Sequence, residues 1–270
     1  MLIVACIKQV PDTTQVKIDP VTNTLVREGI PFIMNPYDTH AMEAALQLKD
    51  QFGCKVVVLS MGPPNAEATL RKALSAGVDR AILLSDRVFG GADTLATSNV
   101  LAAAIRQLNE TEPVGLVICG KQTIDGDTAQ VGPGIAVRLG YQQLTLVDKV
   151  EELDLISKKL IVSRKLEGRH ERVQSPLPAM LTVVRELNRP RYPTVPMRLA
   201  AATAEVEVWN NEVLKLDPQT IGLKGSPTWV SKIFSPQRDK GEIVGDGYAD
   251  PEGAVDQLLG KLMEKDLLPL

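Results

Sequence analysis

Short, continuous apolar runs alternate along this chain with longer stretches in which apolar residues recur every three or four positions. The apolar runs, rich in Val and Ile, cover residues 2–7, 55–59, 81–84 and 116–119. They show little polar alternation, which predicts strands covered on both faces. The stretch 38–51 sets Ala41, Ala44, Ala45 and Leu48 on one stripe, with Gly53 behind it as a stop, and predicts a helix. Residues 66–76, ended by Gly77, and residues 94–108 predict two more. Strands alternating with helices of this length imply right-handed βαβ units. The predicted fold class is therefore α/β, with a doubly wound, mostly parallel, Rossmann-like sheet. Residues 16–26 interrupt the first unit and read as a small hairpin, with Asp19-Pro20 and Thr22-Asn23 as turn residues.

After Gly140 the pattern changes. Residues 144–150, 160–163 and 180–184 read as shorter strands, antiparallel, closing one edge of the sheet. From Asn188, prolines at 190, 193 and 196 favour an extended arm that cannot settle into helix. Beyond it lie residues 199–208, a linker-like stretch 222–227 and a terminal helix over 251–265. This tail of about 70 residues has too little apolar material for its own core and is expected to pack on another surface. The expected division is a nucleotide-binding α/β domain over 1–187, a Pro-rich arm over 188–199 and a C-terminal extension over 200–270.

The turns that follow the strands carry the chemistry. The strand at 115–119 empties into Gly120, Lys121, Gln122, Thr123, Ile124, Asp125, Gly126, Asp127, Thr128, Ala129, Gln130 and Val131, ahead of a helical run from Ile135. A Gly- and Asp-rich turn at a helix start leaves backbone N–H groups unpaired at one rim of the sheet, where phosphate binds and the helix dipole favours negative charge. The same spacing also suits an ordinary βα loop. Because Pro133 fits only a first helical turn, the helix is predicted to begin near Val131 or Gly132, with residues 123–130 as an irregular wrap. The alternative is a helix from Asp127, distorted at Pro133.

A second turn of this kind is Gly90, Gly91, Ala92 and Asp93, with Asp93 as N-cap and Thr94 and Thr97 on one face of the first helical turn. Those hydroxyls could bind a diphosphate or simply face water. In a third, Pro36 biases Asn35 toward an extended conformation, so that Asn35, Pro36, Tyr37 and Asp38 could read a base edge, or merely cap a helix at Asp38. In a fourth, Met61 and Gly62 allow close backbone approach at a strand end. Open α/β sheets bind ligands outside the carboxyl ends of their strands, so the convergence of these turns argues for an adenine nucleotide.

Bulk properties narrow the class. The 270 residues carry 30 Lys and Arg against 33 Asp and Glu, a net charge of −3, and no dense basic patch, which argues against nucleic acid. No apolar run approaches the ~20 residues needed to span a bilayer. The first residues read as a strand ending at Lys8 rather than a signal peptide. Cys6, Cys54 and Cys119 lie in or beside apolar runs without C-x-x-C spacing, as expected of buried reduced thiols in a cytoplasmic protein. Two histidines, His40 and His170, suggest no metal site. No G-x-x-x-x-G-K-[S/T] run exists, and no G-x-G-x-x-G follows the first strand. Two Trp, four Tyr and four Phe leave few rings for a planar ligand to stack upon.

Over nearly its whole length the chain resembles the beta subunit of an electron-transfer flavoprotein. The residues that carry the resemblance are the opening Cys6 to Asp12, Asn35-Pro36-Tyr37-Asp38, Ser60-Met61-Gly62-Pro63, the wrap from Gly120 to Gln130 and the arm Asn188 to Pro193. The family implies a heterodimer whose alpha subunit holds an FAD and whose beta subunit holds an adenine nucleotide. Simple carriers hold AMP, with loops of the type Asn-Pro-Phe-Cys. The loops here resemble the electron-bifurcating and nitrogen-fixation-associated branch, in which a second FAD takes that place. The resemblance implies that Cys6, Asn35 to Asp38, Met61 and Gly120 to Val131 hold the adenosine end, and that Asp93, Thr94 and Thr97 lie by the pyrophosphate. It further implies that this FAD takes a hydride from NADH and divides its electrons. One goes through the alpha-subunit FAD to an acyl-CoA dehydrogenase or quinone reductase, the other to ferredoxin or flavodoxin. No catalytic acid, base or nucleophile of the chain is needed, because the flavin carries the chemistry. The loop 10–15 would face the partner's flavin, the arm would anchor a dehydrogenase through Val195, and the tail would wrap the alpha subunit's flavin domain. The alternatives are a non-bifurcating carrier with AMP, or a stand-alone adenine-nucleotide sensor.

Overall fold

The computed structural model describes residues 1–12, 17–18, 25–26, 31–229, 231 and 241–268. It divides into two units, Met1–Trp229 and Val230–Leu270.

In the first unit, β1 (Leu2–Cys6) leads to β2 (Gln9–Pro11), β3 (Lys17–Ile18), β4 (Leu25–Val26) and β5 (Phe32–Met34). There follow α1 (Pro36–Phe52), β6 (Lys55–Met61), α2 (Glu67–Ala76), β7 (Arg80–Leu84), α3 (Thr94–Thr111), β8 (Val114–Gly120) and α4 (Val131–Leu139). The remainder holds β9 (Gln142–Asp154), β10 (Lys159–Leu166), β11 (Arg169–Pro176), β12 (Ala179–Val183), α5 (Val195–Thr203), β13 (Glu207–Trp209) and α6 (Asn211–Leu214).

One nine-stranded sheet, in the order β11-β10-β9-β12-β8-β1-β6-β7-β13, organises the unit. The inner strands are apolar on both faces because both faces are covered. Ile3, Val56, Val58 and Leu116 pack with Ala41, Ala45 and Leu70 of α1 and α2 on one side. Val4, Val57, Leu59 and Val117 pack with Val100, Ile105 and Ile135 of α3 and α4 on the other. Gly53 ends α1 in the left-handed region at φ 66°, as its place behind the apolar stripe predicts. The small hairpin is present as the antiparallel pair β3–β4, with its turn residues outside the described residues.

From β1 the chain winds outward to β6 and β7, then returns to place β8 on the other flank of β1. That reversal makes a topological switch point, where the loops leaving β1 and β8 diverge and open a crevice at the carboxyl edge. Cys6 and Cys119 are register partners there.

The second half departs from the sequence pattern in three places. The strand expected at 180–184 is not part of an antiparallel edge. It is β12, fully buried and parallel to both β8 and β9. The antiparallel edge is β9–β10–β11, and β11 is solvated along most of its length, which is why no apolar run announced it. The Pro-rich arm turns helical at Val195, because Pro196 falls in the first turn, where its missing N–H costs nothing. Residues 207–209 add an edge strand to β7.

In the second unit, α7 (Pro251–Glu264) is capped by Asp250, which accepts from the Gly253 N–H. It buries no residue, and Val255, Leu258, Leu259 and Met263 are exposed along it. Among the described residues no helix is long and apolar enough to cross a membrane.

Candidate functional site

A cleft of about 1090 Å³ opens at the carboxyl edge, over the ends of β1, β6, β7 and β8. Its lining includes Cys6, Asp38, Met61, Gly62, Asp93, Thr94, Thr97, Gly120, Lys121, Gln122 and Thr123 of the residues singled out from the sequence. Gly126, Thr128, Ala129, Gln130 and Val131 line it as well. Asn35, Pro36, Tyr37, Ile124, Asp125 and Asp127 do not; several of these hold the wrap in shape from behind. Thr13 and Thr14 of the loop expected to face a partner lie outside the described residues.

The floor is the Cys6–Cys119 pair, both buried free thiols. Hydrogen bonding with Cys6, together with burial, pushes the Cys119 thiol up. Immediately behind it, Asp38 of α1 is buried. Its Oδ2 accepts from the Lys8 N–H at 2.8 Å and its Oδ1 from the Gly120 N–H at 3.1 Å. Those bonds tie the exits of β1 and β8 to the first turn of α1. Burial raises the Asp38 pKa from 3.8 to about 7, against the opposing pull of Asn35, these N–H donors and the Lys8 charge. Gly120 must lack a side chain, since a Cβ there would lie 2.4 Å from Asp38 Oδ1.

Asn35 is completely buried and works on the wrap rather than in the cleft. Its Nδ2 donates to Gln122 O at 2.9 Å and its Oδ1 accepts from Ile124 N at 3.2 Å. A single amide thereby satisfies a donor and an acceptor of irregular backbone that no ladder serves. Lys8 Nζ closes the wrap from the other side through Asp125 Oδ2 at 2.7 Å. Burial pushes the Asp125 carboxyl up, but hydrogen bonds from Lys8 and Thr123 win and hold it below the usual range. Gln122 Nε2 donates to Asp127 Oδ1 at 2.7 Å, and Lys121 Nζ stands 5.0 Å from the Tyr37 ring centroid. Asp127 and Ala129 sit at φ 50° and 55°. These left-handed residues mark the irregular path of the wrap before α4 starts at Val131, where Pro133 predicts it.

The start of α4 meets that of α3, with Thr94 Oγ1 donating to Gln130 Oε1 at 2.7 Å. The two helix N-termini converge on one wall of the cleft, which suits negative charge. Asp93 stays ionised at this wall, but both of its oxygens are turned to donors of the protein itself. Oδ1 accepts from the Leu95 and Ala96 N–H groups, and Oδ2 from the Thr228 N–H and hydroxyl. Against the pull of burial, these donors hold its pKa below the ordinary value.

Sequence reasoning missed one further wall of the cleft. Ser85, Asp86, Arg87 and Phe89 follow β7 and line the cleft with Lys8 and Thr228. Their only signal was position, at a strand's carboxyl end, without the glycines that marked the other turns. Asp86 is also engaged, accepting from Asn211 N at 3.0 Å and Val88 N at 3.1 Å. No group of His, Cys, Asp or Glu able to hold a metal ion occurs among the described residues.

Comparison with known proteins fixes the family. The electron transfer flavoprotein domain matches residues 22–214. The chain belongs to the electron transfer flavoprotein family. It is similar to "Protein FixA" of Azotobacter vinelandii, at 49% identity over 96% of this chain and 93% of that protein. "Caffeyl-CoA reductase-Etf complex subunit CarD" of Acetobacterium woodii is 47% identical over 99% of this chain and all (100%) of its own length. "Electron transfer flavoprotein subunit beta" of Clostridium acetobutylicum is 48% identical over 90% of this chain and 92% of that one. Within the electron transfer flavoprotein family, therefore, this is a beta-type subunit that serves electron transfer.

Proposed function

We propose that the chain binds FAD in the cleft and, paired with an electron-transfer flavoprotein alpha subunit, forms an NADH-oxidising, electron-bifurcating flavoprotein. The observation that carries this is the size of the cleft together with its lining. At about 1090 Å³ it lies at the upper end of ligand sites and has room for a dinucleotide. Its residues fit such a group, with converging helix N-termini, Lys121 and Arg87 for charge, and rim carboxylates already satisfied by N–H donors.

In this reading the wrap residues Gly120 to Val131, with Cys6 and Met61, enclose the adenosine end. Thr94 and Thr97 offer hydroxyls to the diphosphate, and Asn35 and Asp38 hold the enclosing backbone in place. Bound there, FAD would supply hydride acceptance from NADH and single-electron transfer onward. The chain's own work is to bind, orient and shield it; no side chain needs to act as acid or base. The electrons would leave along two routes. One is the alpha-subunit FAD toward an acyl-CoA dehydrogenase or quinone reductase; the name of the Acetobacterium relative puts that protein in a complex with a caffeyl-CoA reductase. The other leads to ferredoxin or flavodoxin.

The arm around Val195 would contact the dehydrogenase, and the C-terminal extension over 200–270 would wrap the alpha subunit's flavin domain. The exposed apolar row of α7 supports the latter, since an amphipathic helix with no buried residue needs a partner surface. Acid extraction of the co-expressed heterodimer, with chromatographic counting, tests the reading. Two FAD per heterodimer are expected; one FAD with one AMP would replace it by the plain carrier.

A further inference from the structure

Helix α1 carries a buried acid that the cleft does not use. The Glu43 side chain is only 4% exposed, and it lies against Arg191 of the irregular segment that precedes α5. Glu43 Oε2 accepts from the Arg191 backbone N–H at 3.1 Å and from Nε at 2.9 Å. Oε1 accepts from Nη2 at 3.1 Å, and the same Nη2 reaches Asp50 Oδ2 at 2.8 Å. One turn earlier on the helix, His40 O accepts from Asn188 Nδ2 at 2.9 Å, and His40 Nδ1 faces Asn188 Oδ1 at 3.0 Å. Burying a charge is costly unless it is paired and hydrogen-bonded throughout, as this one is. Such a fork fixes direction as well as distance, which a lysine could not do.

What the fork holds is the irregular stretch just ahead of α5, and along it and the first turns of α5 three apolar side chains stand exposed among Arg189, Thr194 and Arg198. Tyr192 is 94% exposed, Val195 70% and Leu199 68%. The helix that anchors it is the one whose first turn, through Asn35 and Asp38, holds the nucleotide wrap.

We infer that Glu43 and Arg191 are positioning residues for partner binding. They clamp the root of the arm to α1, so that Tyr192, Val195 and Leu199 are presented to a second protein already in place. The inference rests on the reading of the arm as the contact for an electron-accepting dehydrogenase. An arm ordered beforehand spares the complex the cost of ordering it on contact. The clamp also fixes that contact relative to the cleft through one rigid helix.

The test uses the intact heterodimer with Glu43→Gln and, as a second variant that keeps the charge and the backbone N–H, Arg191→Lys. Hydrogen exchange at the Arg191 amide reads the clamp directly. Glu43→Gln is expected to speed it about tenfold while the α1 amides stay protected, and to raise the KM for an acyl-CoA dehydrogenase probe about tenfold at unchanged kcat. FAD content and NADH-driven reduction of a small dye should not change. Arg191→Lys should raise the same KM by less. Unchanged exchange at Arg191 in Glu43→Gln, or unchanged KM in both variants alongside unchanged arm exchange, overturns the clamp. Faster arm exchange with unchanged KM leaves the clamp standing and overturns the arm as a dehydrogenase contact.

Discussion

Replacing Asn35 by alanine should loosen the wrap without touching the lining of the cleft. The side chain is fully buried and holds Gln122 O at 2.9 Å and Ile124 N at 3.2 Å. Its removal deletes both bonds and orphans a backbone acceptor and a backbone donor, at about 1–3 kcal/mol for each unsatisfied group. Part of that is recovered as the freed wrap meets water, so about 2–4 kcal/mol is expected for the pair. If the nucleotide needs the wrap closed, that corresponds to about 30- to 700-fold weaker binding at 1.4 kcal/mol per factor of ten. Asn35→Asp should be at least as damaging, since it sets a carboxylate oxygen against the Gln122 carbonyl. The assay is FAD retention by the heterodimer on gel filtration, followed by flavin titration of the stripped protein. Wild-type affinity in Asn35→Ala would refute the reasoning, and would return Asn35 to the role of a simple helix-entry residue.

Other perturbations separate the remaining parts of the site. The Asp38 pKa rises from 3.8 in the unfolded chain to about 7 in the fold, so between those values the native protein holds a proton that the unfolded one has lost. Its contribution to stability therefore falls as pH rises through that window, by up to about 4 kcal/mol, and is flat above about pH 7. Unfolding curves of Asp38→Asn and wild type should diverge in the variant's favour over that range; parallel profiles would remove the buried charge from the scheme. The Lys8–Asp125 pair is partly exposed, at 46% and 28%, and is worth about 0–1 kcal/mol. Lys8→Gln should thus weaken flavin binding far less than Asn35→Ala, with a difference that shrinks in high salt. Asp93→Ala should cost about 1 kcal/mol as a lost N-cap, seen as a lower Tm. It should also speed hydrogen exchange at the Thr228 amide, which donates to Asp93 Oδ2 at 3.2 Å; an unchanged amide would show that the 226–228 segment is held by other contacts.

The parts of the molecule that were legible in the sequence are those whose signal is local. The strands β1, β6, β7 and β8 announce themselves because burial on both faces demands unbroken apolar runs. Helix stops at Gly53 and Gly77, the cap at Asp93 and the start of α4 ahead of Pro133 each follow from one residue's backbone chemistry. The polar edge strand β11 was invisible, since of its inward positions Glu171, Val173 and Ser175 only one is apolar. Pro196 misled for a positional reason: the same ring that breaks a helix interior is harmless in its first turn. In the site, glycine-rich turns pointed to three walls, while Ser85 to Phe89 carried no comparable mark. Asn35 was recognised as special, yet its role depends on Gln122 and Ile124, 87 and 89 positions away. Glu43 reads from the sequence as one more polar residue on a helix. Only the fold reveals Arg191 against it.

The most direct measurement is the structure of the heterodimer with its cofactors bound. A dinucleotide should lie over the Cys6–Cys119 floor, its adenosine beneath residues 120–131 and its diphosphate at the starts of α3 and α4. Two flavins found elsewhere in the heterodimer, or AMP alone in this cleft, would contradict the proposal.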